Sequence, residues 1–359
     1  KRKITAALDN NVFTGIVTAL AIGERQGITK HQWDVFTRTA TNHLIAISGL
    51  HIGLVAAFIF FTVRWGWLRF TSLALRIPAA KIAAVLALCG AFIYAAMAGF
   101  SIPTQRALIM VAVVMSGVLL QRHRAPSHTL ALALLVVLIF DPLSVMSAGF
   151  WLSFCAVAVI LIGMHSRIRT TGKWWKWGRV HVLVALGLLP LMLILFQRVP
   201  LLSPLANFVA VPWVSILVVP FVLMGTVLLE IFPLMGTFFL KSAAVMLSVL
   251  WPVLDGLSQL EIAQWVQHKP VTWTAIPAII GTLLLFAPRG IPGRWIGIVW
   301  LMPAIVLMPS RPVEGDVWFT LLDVGQGLSA VVQTRDHVLI YDTGARFSQS
   351  FDAGSAVVA

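Results

Sequence analysis

Between His43 and Ser310 the chain returns repeatedly to apolar runs close to the thickness of a bilayer. A helix crossing the ~30 Å hydrocarbon core needs about 20 mostly apolar residues, and about 17–25 are tolerated. Runs 44–63, 82–98, 102–121, 148–164, 180–196, 271–287 and 291–309 meet that requirement, and 129–140 falls short of it. The stretch 204–254 is long enough for two crossings, with a break expected at Phe232-Pro233. Together these give ten expected segments, some of them interrupted by Pro or Gly. Composition agrees, because charged residues make up only 11% of the 359 and the apolar types 59%. A soluble domain carries about 25% charged residues, so a soluble surface cannot be covered here. The fold class expected for 43–310 is an all-α polytopic membrane bundle.

Charge is distributed unevenly. The net +13 arises from six basic and three acidic residues in 1–42, seventeen and four in 43–310, and three and six in 311–359. Such a basic balance suits nucleic acid or anionic lipid, and in a bundle it also reports orientation. Loops 64–81, 122–128, 165–179 and 288–294 are rich in Lys and Arg, whereas the opposite loops carry little beyond Arg106, Arg198 and Lys269. Cytoplasmic loops are enriched in Lys and Arg, which places the first set inside and both chain ends outside. Cys89 and Cys155 each lie in an apolar run, so no disulfide framework is implied. The first residue is Lys and no signal peptide is visible, so the chain is expected to be part of something longer.

The ends read differently from the middle. Residues 1–42 form a lead-in whose apolar run 10–22 is too short to span, and a helix at the membrane surface is expected there. From about residue 311 short β-branched runs alternate with Gly-rich or charged turns, which reads as strands within 317–344.

Several motifs place polar groups inside apolar runs. On a continuous helix His43, Ile47 and His51 share a face, and Gly49 and Gly53 make a small-xxx-small pair that admits a close neighbour. Alternatively Ser48-Gly49 breaks the helix and exposes backbone to a cavity. Ionisable residues in spanning segments mark pathways; the other reading of these histidines is satisfied core groups. Arg106 follows Ser101, Pro103 and Gln105, and it either snorkels to headgroups or lines a wet cavity where a guanidinium suits a phosphate. Asp141-Pro142 precedes GFWLSF, and Asp141 either caps the next helix or pairs with Arg106. Asn207 lies between Pro204 and Pro212, so it reads as part of a broken helix lining a cavity or of a kinked one meeting a neighbour. Lys173-Trp174-Trp175-Lys176-Trp177-Gly178-Arg179 reads as an interfacial anchor, with stacking on a single strand as the other reading. In the tail, Asp323-Val324-Gly325-Gln326-Gly327 and Tyr341-Asp342-Thr343-Gly344 are turn signals that are weak by themselves.

In combination HLIAISGLHIG, AGFSIPTQRA, DP…GFWLSF, SPLANFVAVP and DVGQG…YDTG occur in the order found in the ComEC family, which the chain resembles over nearly its whole length. The resemblance implies a channel domain over 43–310, followed from 311 to 359 by the truncated, β-rich start of a metallo-β-lactamase-like α/β domain. It implies that one DNA strand crosses the bacterial cytoplasmic membrane during transformation while the other is degraded outside. His43, Ser48, His51, Ser101, Gln105, Arg106 and Asn207 would then line the strand's path. Gly49, Gly53, Asp141, Pro142, Asp323, Gly325, Gly327, Asp342 and Gly344 would hold structural motifs. Leu328-Ser329 depart from the family's usual Asp-Ala. The family's N-terminal membrane and OB-fold region and its HxHxDH zinc motif are expected outside this chain, with Asp342 beside the metal site of the intact protein. Zinc or manganese is therefore expected only there, and no cofactor within 1–359. Implied partners are the DNA strand in transit, membrane lipid, a membrane-bound DNA receptor and a cytoplasmic ATPase. Residue chemistry alone also admits a secondary transporter for a small anion, or a membrane-tethered hydrolase.

Overall fold

The computed structural model describes residues 1–9, 11–45, 47–122, 125–165, 173–287, 290–325 and 327–345. Four short helices open the chain: α1 (Arg2–Ala7), α2 (Thr14–Ile22), α3 (Lys30–Arg38) and α4 (Asn42–Ile45). They are followed by α5 (Gly49–Trp67), α6 (Thr71–Arg76), α7 (Ala79–Met97), α8 (Ile102–Leu119), α9 (Pro126–Phe140), α10 (Ala148–His165) and α11 (Lys173–Phe196). Next, α12 (Ser203–Pro212) runs through a π-helical stretch, Trp213–Val218, into α13 (Val219–Ile231). The helices end with α14 (Pro233–Gln259), α15 (Ala275–Phe286) and α16 (Ile296–Val306).

Among the described residues six helical stretches are long and apolar enough to cross a membrane: Gly49–Trp67, Ala79–Met97, Ile102–Leu119, Trp177–Phe196, Ser203–Ile231 and Pro233–Gln259. This is a multi-pass membrane protein. The expectation of ten segments is met in part, because Pro126–Phe140, Ala148–Met164, Thr272–Phe286 and Ile296–Val306 are shorter apolar helices. The 11 residues of α16 reach only about 16 Å at 1.5 Å per residue.

Prolines mark helix starts here more than breaks. Pro103 stands in the first turn of α8, Pro126 opens α9 and Pro233 opens α14. In a first turn the missing N–H has no partner to lose. The break at Phe232 falls where the sequence places it. Pro212 does not break its helix: the chain passes into the π-helical turn, which re-registers the backbone around the absent donor. Asn207 therefore sits on a continuous helical rod.

The lead-in packs on the helices that follow. In its helix α2 every residue from Gly15 to Ala21 is buried, in one core with α3, α12, α13 and α14. Gly15 makes this possible, because a Cβ there would stand 2.1 Å from the Gly27 carbonyl oxygen. Ion pairs tie the lead-in to α13 and α14: Lys3 with Glu230, Asp9 with Lys241, and His31 with Asp255. A second core joins α5, α7 and α8 mainly through Ala56, Ala87, Ala91, Ala95, Ala98 and Ala107. Helices α9 and α10 pack in sequence onto α8, and α11 connects α10 to α12 and α15.

Two small sheets complete the fold. Strand β1 (Arg198–Val199) pairs antiparallel with β2 (Trp265–Val266) and joins the end of α11 to the loop after α14. In the tail β3 (Trp318–Leu321), β4 (Ala330–Gln333) and β5 (Val338–Tyr341) form an antiparallel sheet in that order, with Leu321, Ala330 and Tyr341 in register. Strands fall within 317–344 as the alternation predicts. Both β3 and β5 are exposed along their whole length.

Candidate polar site within the bundle

The continuous helix from His43 to His51 is not formed; the break is. Helix α4 ends at Ile45 and α5 begins at Gly49, so the two histidines do not share a helix face. Ser48 is the reason. Its hydroxyl accepts from the His51 backbone N–H at 3.4 Å, and its own N–H donates to His51 Nδ1 at 3.5 Å. This reciprocal cap satisfies two groups at a helix start. Of the glycine pair, Gly49 meets Ala107 of α8, where a Cβ would lie 3.2 Å away, while Gly53 faces open space.

The break does not scatter the polar groups. Ala40 adopts φ 53°, a left-handed conformation uncommon for a residue with a Cβ, and its carbonyl becomes a shared acceptor. His43 Nδ1 donates to it at 2.9 Å and Asn207 Nδ2 at 3.5 Å. Thus α12 is tied to the turn before α4. His43 also lies within electrostatic range of His51 and of His181 on α11. His51 and Asn207 are buried. Three polar atoms of this group, His51 Nε2, His181 Nε2 and Asn207 Oδ1, are buried without a hydrogen-bond partner. His181 was not singled out by the sequence reading, although a histidine inside the apolar run 180–196 carries the same signal as His43. Lys241, in the middle of α14, is a second such case; the charge is met by Asp9 at 3.1 Å.

Arg106 makes contacts of its own. It is buried on α8, with Nη2 donating to Ser153 Oγ of α10 at 3.4 Å and Nε left unpartnered. A Cβ on Gly149 would stand 3.1 Å from Nη2, so the glycine leaves room for the guanidinium. Asp141 is within electrostatic range. Its side chain does not cap the turn that Pro142 opens; Ser147 caps α10 instead, accepting from the Phe150 N–H at 3.3 Å. Of the neighbours, Gln105 donates to the Phe100 carbonyl at 2.6 Å and Ser101 meets Thr104 Oγ1 at 3.3 Å, both local bonds around the α8 start.

The aromatic–basic motif in the first turns of α11 is described only from Trp177 onward for side chains. Trp177 Nε1 donates to the Phe208 carbonyl and Arg179 Nη2 to the Gly163 carbonyl. These two residues tie α11 to α12 and α10. The rest of that motif, Ala46, His123, Arg124 and Gln326 lie outside the described residues or their described side chains.

In the tail the two turn motifs meet. Asp323 Oδ1 accepts from the Gly325 N–H, and Asp342 Oδ1 accepts from those of Thr343 and Gly344. Gly327, at φ 129°, lies so close that a Cβ would stand 3.3 Å from Gly344 Cα. The family's zinc or manganese does not fit these residues. Both carboxylates staple their own turns, and His337 lies at the opposite end of β5 from Asp342, about 13 Å or more away at ~3.3 Å per residue.

Comparison with known proteins places this architecture. Residues 20–291 match the family model described as competence protein. The chain is similar to Competence protein ComA of Neisseria gonorrhoeae, with 34% identity over 92% of this chain and 46% of that protein. It is also similar to Recombination protein 2 of Haemophilus influenzae, with 30% identity over 92% of this chain and 46% of that protein. The chain thus spans about half the length of these relatives. No solved structure matches it.

Proposed function

The chain belongs to the competence protein family, and from that premise we propose that its helical bundle carries a single strand of DNA across the bacterial cytoplasmic membrane during transformation. The observation that carries this reading is the set of polar groups held inside apolar helices: Arg106 Nε, His51 Nε2 and Asn207 Oδ1, all buried and unpartnered. An unpaired buried polar group is costly, and intramembrane ionisable residues mark the path of a polar cargo. His43, Ser48, His51, Ser101, Gln105, Arg106 and Asn207 line that path. Arg106 is the phosphate contact, because a guanidinium offers a fixed fork of donors.

The Lys- and Arg-rich loops face the cytoplasm and the tail sheet faces outward, where a receptor delivers the strand; a cytoplasmic ATPase draws it in. Zinc or manganese belongs to the rest of the hydrolase domain in the intact protein, not to residues 311–359. Impermeant thiol reagents should fail to label single cysteines at Ser72 and Ser127 in intact cells lacking Cys89 and Cys155. Efficient labelling of both from outside would invert the bundle.

The decisive test is Arg106→Ala in the full-length protein. Uptake of single-stranded DNA into the cytoplasm should be abolished while abundance in the membrane stays normal. Normal uptake at normal abundance would reduce Arg106 to an anchor. Loss with Arg106→Lys as well separates bidentate phosphate contact from plain charge.

A further inference from the structure

Four helices bring one uncharged type of hydrogen-bonding side chain to the same region of the bundle. His43 comes from α4, His51 from α5, His181 from α11 and Asn207 from α12. The Ala40 carbonyl joins His43 to Asn207, and His43 lies within range of both other imidazoles. Trp177 stands edge-on to His181, with ring centroids 4.8 Å apart, and is itself anchored to the Phe208 carbonyl.

The bonds already made assign the free atoms a role. His43 Nδ1 must donate to a carbonyl, so in the neutral ring its Nε2 is an acceptor. His51 Nδ1 accepts from the Ser48 N–H, so the ring proton sits on Nε2, a buried donor with no partner. Asn207 spends its amide N–H on Ala40, which leaves Oδ1 as a buried acceptor with no partner. The cluster therefore offers both donors and acceptors. Arg106 has the opposite character: it has only donors and a fixed charge.

Resting on the strand-transport reading above, we propose that His43, His51, His181 and Asn207 form a station that holds the base edges of the passing strand, with His181 a binding residue of that station. A nucleobase edge alternates donors and acceptors and is read by amide and imidazole groups, whereas phosphates offer acceptors alone. Trp177 holds the His181 ring by an edge contact. The two sites divide the strand, backbone to Arg106 and bases to the imidazole–amide cluster.

The test compares two fluorescent single strands of equal length and charge, oligodeoxythymidylate and an abasic strand, binding to purified full-length protein in lipid nanodiscs. The wild type should favour the base-bearing strand about tenfold, the effect of roughly two net hydrogen bonds. His181→Leu and Asn207→Leu should each bring the ratio towards one. His181→Gln, which keeps a donor and an acceptor, should retain most of the preference, an outcome that a packing role would not give. Arg106→Ala should weaken both strands and leave their ratio alone. Binding of both strands with a ratio that neither leucine variant moves would overturn the base station and leave strand transport standing. Binding of neither strand by the wild type would overturn both.

Discussion

Helices α13 and α14 meet through a leucine set against one glycine and a close backbone approach at another, whereas α5, α7 and α8 meet mainly through alanines. In the first body Leu240 is fully buried and lies over Gly225, where a Cβ would stand 2.9 Å from its Cγ; on the other side Gly236 sits 2.4 Å, by the same measure, from the Leu229 backbone nitrogen. In the second body Ala56, Ala87, Ala91, Ala95, Ala98 and Ala107 make up most of the buried set, with one notch at Gly90, where a Cβ would stand 2.1 Å from Ile59 Cδ1. Within lipid there is little hydrophobic gain from bringing helices together, so association rests on close packing. A knob in a notch and a flat alanine seam both achieve it, but they fail differently. The first loses contacts when it is trimmed, and the second is forced apart when it is filled. The polar cluster draws on both, with Asn207 on the α12–α13 rod and His51 at the head of α5.

Leu240→Ala should give the largest effect, since a trimmed knob leaves a cavity between rigid helices. A loss of about 2–3 kcal/mol is expected, the lower part of the range for such truncations because the transfer component is small in lipid. Unfolding of the purified protein by a denaturing detergent measures it. A loss no greater than that of a lipid-facing substitution such as Leu234→Ala would break the contrast. Ala91→Leu should cost less, about 1–3 kcal/mol from overpacking, and it should also lower DNA uptake by shifting α5 and with it His51. Ala91→Leu with full stability would show that the seam is loose, and full stability with lost uptake would sharpen its role in holding the site.

Much of this organisation is legible in the sequence. Run lengths and composition give a multi-pass helical bundle, Phe232-Pro233 gives a helix boundary, and alternation gives the three tail strands. Polar residues stranded in apolar runs point to His43, His51, Arg106 and Asn207. The sequence leaves the outcome open where a local rule has two. Ser48-Gly49 allowed a continuous or a broken helix, and the reciprocal bonds between Ser48 and His51 decided it. Pro212 permitted a break, and the π-helical turn removed the need for one. That the apolar run 10–22 packs on α13 and α14 has no local signal at all.

What the sequence determined by itself is what depends on neighbours along the chain: which runs are apolar enough to be helices in lipid, where caps and prolines start them, and which side chains are too polar to be there by chance. Which of those side chains come together belongs to the tertiary structure alone. His43 and Asn207 are far apart in sequence and share one carbonyl because Ala40 takes a left-handed turn and α12 passes beside it. Arg106 reaches Ser153, far off along the chain, because Gly149 leaves room for its guanidinium on α10. Periodicity fixes the face of a helix, but the rotation and approach of neighbouring helices follow from side-chain volume at contacts that no local pattern encodes.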